Sequence, residues 1–323
     1  MAITVALAGD TMLGRGVAEH LSRHGTGALF APEIEHAVAE ADLFLVNLEC
    51  CISEGGAPYT RIPGKPFFFR APPLAAKVLA GLGVDGACLA NDHALDFGPE
   101  ALLDTRAALT EAGIRAVGAG ADETQARAAT VFERRGLRIG VMAATDHPEQ
   151  FAARGHEPGV AFADLKDAVP AWLTDGVREL REHTDLTLVT VHWGPNMVDR
   201  PVRHVRHAAA ALVDAGADLV IGHCAHVFHG FTRRVLFDLG DFIDDYRVDP
   251  ILRNDLGLLW LVTFEGHRPV RTRAIPIAVD GCRTRLADPF EYARIRFRLD
   301  GACAPFGTRI EDRGDFLDVT WPE

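Results

Sequence analysis

The chain reads as a layered α/β fold. Three observations carry that reading. Short apolar, β-rich runs alternate with helical patterns along the whole length. Five of those runs end in an Asp, Glu or His. No Pro/Gly/Ser-rich linker, low-complexity stretch or fixed-period repeat interrupts them, which predicts one domain over residues 1–323.

In order, residues 3–8 form a buried strand followed by Gly9-Asp10, and residues 43–46 a second, ending in Asn47-Leu48-Glu49. Residues 86–89 form a third, running into Asn91-Asp92-His93. A helix over 99–112 has Pro99 at its start and Gly113 as its stop. Residues 137–142 are a strand, and 165–182 a long amphipathic helix. The strand 186–191 ends in His192-Trp193-Gly194. A helix over 204–215 leads through Gly216 to the strand 219–221, which ends in Gly222-His223. Strand-like runs follow at 235–239, 258–264 and 270–277, then a short C-terminal helix.

Of the 323 residues, 48% are hydrophobic and 24% charged, enough for a large core. The net charge of −12 repels a phosphate backbone and excludes nucleic acid as a partner. The start, MAITVALAGD, has no basic region or apolar stretch of signal-peptide length. Nothing approaches the roughly 20 apolar residues of a membrane span. A cytoplasmic protein with no membrane partner is the expectation. Six cysteines without a CxxC pair read as small buried residues.

In open α/β sheets, ligands sit outside the carboxyl ends of the strands. The groups at those ends are Asp10, Glu49, Asn91-Asp92-His93 with Asp96, His192, and His223 with His226. Carboxylates and imidazoles are what a divalent cation needs. Each residue also has a plainer role. Asp10 could cap a helix starting near Leu13. Glu49 could be solvated, His93 a buried hydrogen-bonded histidine, and the His223/His226 spacing chance among 14 histidines. Their recurrence at successive strand ends favours a shared site. The segment Tyr59–Arg70 joins Arg61, Lys65 and Arg70 to three phenylalanines. It reads either as a loop gripping a peptide carboxylate or as aromatics packed into the core. Trp193 is either a pocket wall or core.

Several stretches resemble the CapA-like family, linked to poly-γ-glutamate capsule synthesis: GDTMLGR (9–15), VNLE (46–49), LANDHALDFG (89–98), VHWGPN (191–196), DAGADLVIGHCAH (214–226) and LGDF (239–242). The match extends to about Leu261, leaving residues 265–323 as a C-terminal elaboration. The resemblance implies a branch of the calcineurin-like metallophosphoesterases and a four-layer αββα sandwich. Carried over, Asp10 is the first metal-binding carboxylate and Glu49 the bridging one. Asn91, His192 and His223 join them as ligands, with His226 in the last histidine motif and His93 at the general-acid position.

Four positions depart from the phosphoesterase pattern. Met12 and Cys224 stand where histidines are usual, and Asp92 and Asp241 where asparagines are. Extra carboxylates oppose the negative charge of a phosphoester. They favour a hard cation, Ca²⁺ first, then Mn²⁺ or Mg²⁺. They also build His/Asp pairs suited to proton transfer, His93 with Asp96 or Asp10 and His226 with Asp241 or Asp92. This pattern is similar to that of the lasso-peptide epimerases, which invert the α-carbon of a precursor peptide's C-terminal residue. A metal-dependent peptide epimerase is therefore the first expectation. A metallophosphoesterase or related hydrolase is the second, and a non-catalytic glycan- or peptide-binding scaffold the third.

Overall fold

The computed structural model describes residues 2–322. Seven strands position the site: β1 (Ala2–Thr11), β2 (Leu43–Leu48), β3 (Gly86–Cys88), β4 (Leu137–Thr145), β5 (Leu186–His192), β6 (Leu219–His223) and β7 (Asp241–Ile243). In the first sheet the order is Glu311–Asp312, Leu317–Thr320, Arg268–Val279, Leu256–Glu265, β1, β2, β3 and Arg115–Val117, with β7 alongside β1. The second sheet runs Phe231–Thr232, Val235–Leu236, β6, β5, β4 and Thr130–Arg134. Strands β1 to β3 are mutually parallel, and so are β4 to β6.

Side-chain alternation sorts the apolar residues into three cores. On β1, Val5 and Leu7 face the second sheet, joining Val141 and Leu188, while Ala6 and Ala8 face an outer helical layer. On β5, Leu186 and Leu188 face inward. Val189 and Val191 pack outward against Leu173, Val177, Val205 and Leu212 of two helices, Ala171–His183 and Arg203–Ala215. Strands covered on both faces read as continuous apolar runs, as these do. The result is the calcineurin-like αββα sandwich that the motifs imply. No helix among the described residues is long and apolar enough to cross a membrane.

Several boundaries differ from those expected, for physical reasons. The helix expected over 165–182 begins only at Ala171, because Pro170 holds extended backbone at its N-cap and disfavours helix before it. The expected short C-terminal helix has 15 residues, Pro289–Cys303, started by a full capping box between Asp288 and Glu291. The run 235–239 is a strand only over Val235–Leu236. β1 extends through Asp10 to Thr11, and the next helix, Arg15–His24, is capped at Gly14. Asp10 is therefore not a helix cap. Gly9 has a close-approach role: a Cβ there would sit 1.7 Å from Gly240 O. That tight packing sets β7 beside β1, with Asp10 in register with Asp241.

Candidate functional site

Parallel strands deliver their carboxyl ends to one edge of the sandwich, where the two sheets meet. The first sheet supplies Asp10, Asn47, Glu49, the Asn91–His93 turn and Asp241. The second supplies His192, His223 and the Cys224–His226 turn. Asn47 bridges the sheets: its Nδ2 donates to Asp10 Oδ1 at 2.7 Å and lies 3.3 Å from His192 Nδ1.

On one side, His93 Nδ1 lies 2.5 Å from Asp96 Oδ2, and Phe69 stacks on its ring at 4.0 Å. Asp96 Oδ1 pairs with Lys65 Nζ at 3.1 Å. His93 Nε2 is left to face Asp92 Oδ2 at 3.5 Å. On the other side, His226 Nδ1 lies 2.9 Å from Asp241 Oδ1 and 3.3 Å from Asp10 Oδ2. Its Nε2 is 3.3 Å from Asn196 Nδ2 and 4.0 Å from Glu49 Oε1. Two imidazoles are thus each held at Nδ1 by a buried carboxylate. Glu49 lies between them: it groups with Asp10 and His226, and again with Asp92 and His93, each group spanning under 4.8 Å. Tyr246 OH donates to Glu49 Oε2 at 3.0 Å.

Burial and charge compete over these groups. Burial alone would raise Asp10, but the imidazoles of His226, His192 and His223 outweigh it and hold the carboxyl well below its usual range. Burial, reinforced by Asp10, pushes Glu49 well above. Burial acts against the Asp92 charge, yet His93 and His192 hold that carboxyl low. His226 is pushed well above the ordinary histidine value: burial opposes this, and the carboxylates of Asp241 and Glu49 prevail. Burial drives His223 down to about 4, so its imidazole is neutral at physiological pH.

The donor set fits a divalent cation. His192 Nε2, His223 Nδ1, Asp92 Oδ1 and Asp241 Oδ2 are buried without hydrogen-bond partners. His192 Nε2 and Asp92 Oδ1 face each other at 3.1 Å, off the line of an ordinary hydrogen bond. Orphaned polar atoms are costly unless something satisfies them.

Nine expected residues come together here: Asp10, Glu49, Asp92, His93, Asp96, His192, His223, His226 and Asp241. Asn91 is close by. Its Nδ2 donates to Asn47 Oδ1 and Leu48 O, and its Oδ1 accepts from His93 N. These bonds brace the turn and leave a second lone pair on Oδ1, while Asp92 groups with Glu49 and His93 beside it. The expected substrate-gripping residues are placed differently. Lys65 is nearly buried and committed to Asp96. Arg70 donates to Gly55 O and lies over Phe97 at 4.2 Å. Trp193 is buried in the outer core of the second sheet, its Nε1 donating to Phe237 O at 3.1 Å. Arg61 alone of the loop's cations is exposed, over Tyr59 at 5.8 Å. Of the three phenylalanines, Phe69 is buried and Phe67 is 54% exposed.

Sequence reasoning missed Asn47, Tyr246 and the pair Asp146-His147. His147 Nδ1 lies 2.5 Å from Asp146 Oδ1. The signal was available: β4 runs to Thr145, three residues past the expected end, so Asp146-His147 is a further acidic-histidine strand end.

Residues 4–246 match the family described as bacterial capsule synthesis protein PGA_cap. The chain is 32% identical to a probable polyglutamine synthesis accessory protein of Mycobacterium tuberculosis, over 98% of this chain and 95% of that protein. It is 27% identical to the PGA biosynthesis protein CapA of Bacillus subtilis, over 75% of this chain and 63% of that one. A hypothetical protein from Thermus thermophilus shares the fold, with a TM-score of 0.50 at 17% identity over 86% of this chain and 100% of that one.

Proposed function

The chain belongs to the bacterial capsule synthesis protein family, and from that premise we propose that it is a metal-dependent enzyme inverting the α-carbon of a peptide's C-terminal residue. One observation carries the reading. Two histidines, each oriented at Nδ1 by a buried carboxylate, flank a shared carboxylate, Glu49. Inversion needs a base on one face of Cα and an acid on the other. The Cα–H proton goes to Nε2 of one histidine, and the C–H electron pair is drawn toward the adjoining carbonyl oxygen. The other histidine's Nε2–H then gives its proton to the opposite face. Asp96 and Asp241 hold each ring at Nδ1, which leaves the His93 Nε2 facing Asp92 and the His226 Nε2 facing Glu49. Lys65 offsets the Asp96 charge behind His93.

Asp10 and Glu49, bordered by the free His223 Nδ1, suit a hard cation such as Ca²⁺, Mn²⁺ or Mg²⁺. When bound, that cation supplies positive charge for the oxygen that becomes negative. A relative carries the name probable polyglutamine synthesis accessory protein, and a name that refers to a peptide polymer supports a peptide substrate here. A ribosomally made lasso-type precursor is the substrate to try first, with Arg61 at its carboxylate.

Incubation with such peptides in D₂O places deuterium at one Cα and leaves peptide length unchanged. Peptides that neither exchange nor invert, beside brisk cleavage of a phosphodiester, refute the reading. The second reading, a metallohydrolase, is favoured by Glu49 belonging to two ligand groups at once, as a carboxylate bridging two cations would.

A further inference from the structure

We propose that the groove between the C-terminal helix Pro289–Cys303 and residues 251–253 docks an acidic, apolar stretch of the peptide substrate, upstream of the residue that is inverted. The proposal rests on the reading that the substrate is a peptide.

The helix buries Ile295, Leu299 and Cys303 against the core. Phe290, Arg294 and Phe297 recur at helical spacing on the opposite face. Phe297 is 81% exposed, Phe290 76%, and Ile251, which lines the groove with Phe297, 83%. Every other exposed large apolar side chain among the described residues is 54% exposed or less. Single apolar residues on a surface are ordinary, whereas a cluster of them marks a binding face. Ile251, Leu252, Phe297 and Arg298 line both a groove of about 870 Å³ and an adjoining hollow of about 370 Å³. Paired hollows suit a chain laid along them better than a flat bilayer.

Charge selects the occupant. Arg206, Arg294 and Arg298 line the two hollows, and among the described residues none of the three lies within 4.0 Å of a carboxylate. Arg294 and Arg298 donate to the carbonyls of Ile251 and Leu252. The carboxylates nearby are already matched: Arg200 holds Asp199 through two nitrogens, at 3.0 and 3.3 Å, and Asp300 lies 3.9 Å from Arg296. Three unmatched guanidiniums therefore gather on one face of a chain whose net charge is −12. Burial lowers the Arg298 pKa to about 10, and an incoming carboxylate offsets that cost. A second copy of this chain fits poorly, because two-fold antiparallel pairing sets the Arg294–Arg298 flank against itself.

The groove also leads to the site. Asn196, whose Nδ2 is 3.3 Å from His226 Nε2, is three residues from Asp199 at the groove, a span of about 10 Å at most. His226 is similarly followed by Gly230, which lines the groove. A peptide whose terminal residue lies between His93 and His226 needs about three more residues to reach it.

The test is fluorescence anisotropy with a fluorescein-labelled peptide that alternates glutamate and leucine, titrated with the full chain. Wild type binds it, more weakly as NaCl rises. Serine in place of leucine, or lysine in place of glutamate, weakens binding at least about tenfold. Arg294→Glu and Phe297→Ser, both at exposed positions that folding tolerates, weaken it likewise. For substrates extended upstream by that sequence, both variants raise KM for α-proton exchange and leave kcat unchanged. No binding by wild type, equal binding of the serine or lysine peptide, or wild-type affinity in either variant overturns the proposal. Pelleting with phosphatidylglycerol vesicles, or dimerisation, that either variant abolishes also overturns it and assigns the face to a membrane or to a second copy. Peptide binding without any α-proton exchange keeps the groove and removes only the reaction proposed above.

Discussion

The two sheets meet at one edge yet bring opposite chemistry to it. Strand ends of the first sheet carry Asp10, Glu49, Asp92, Asp96 and Asp241, which are oxygen donors, with the one imidazole of His93 among them. Those of the second carry His147, His192, His223, Cys224 and His226, which are nitrogen and sulfur donors. A carboxylate half alone would repel itself and bind only hard cations. Imidazoles alone, buried as deeply, would stay neutral, as His223 does at about 4. Placed face to face, each half sets the other's charge. The imidazoles keep Asp10 ionised, and the carboxylates keep His226 protonated.

The largest effect expected falls on proton transfer. His93→Ala lowers α-proton exchange about 10²–10⁴-fold, with circular dichroism unchanged. Near wild-type exchange would make His93 structural and leave the first half without its base. Next is the support behind it. Lys65→Met strips the ammonium from Asp96, whose side chain is 0% exposed and keeps only His93 and the Phe69 amide. Removing one member of a buried pair costs about 3–5 kcal/mol, read as a lower denaturation midpoint. A midpoint unchanged within error would mean that Lys65 is not holding Asp96.

Chelation probes the halves together. A cation present at a hundred times its Kd stabilises the fold by about 2.7 kcal/mol, so EDTA lowers Tm and Ca²⁺ or Mn²⁺ restores it. Identical scans with and without EDTA would remove the cation from this edge. The last effect is spread over a pH range and lies in the second half, just beyond the site. Burial depresses His229 to about 4, and its Nε2 lies 2.9 Å from Val198 O. Its folded value lies below its unfolded 6.5, so the stability it contributes is present above pH 6.5 and lost as pH falls toward 4. The slope is about 1.4 kcal/mol per pH unit for one such group, and His229→Gln flattens it. An unaltered pH profile in that variant assigns the acid sensitivity elsewhere.

Much of this edge was legible because it follows from strand polarity. Once residues 3–8, 43–46, 86–89, 186–191 and 219–221 read as parallel strands, their carboxyl ends had to converge. The pairs His93–Asp96 and His226–Asp241 were among the combinations expected. What hid Asp146-His147 was composition. The last residues of β4 are Ala143-Ala144-Thr145, too small to mark a strand by hydrophobicity, yet buried between the sheet and its helices. Asn47 went unread because its role is to bridge two sheets whose spacing no local pattern encodes. Lys65 and Arg70 were misplaced because a cation in a loop reads alike whether it waits for a substrate or pairs with Asp96 or a carbonyl. The 15-residue C-terminal helix was underestimated because its polar face is broken by exposed Phe290 and Phe297.

The halves are most directly separated by single-histidine variants offered each stereoisomer in D₂O. If His93 serves one face of Cα and His226 the other, His93→Ala and His226→Ala both abolish inversion. Each still washes the α-proton out of one stereoisomer, and the two variants choose opposite stereoisomers. Loss of exchange from both isomers in either variant, or the same surviving isomer in both, would contradict a two-sided site.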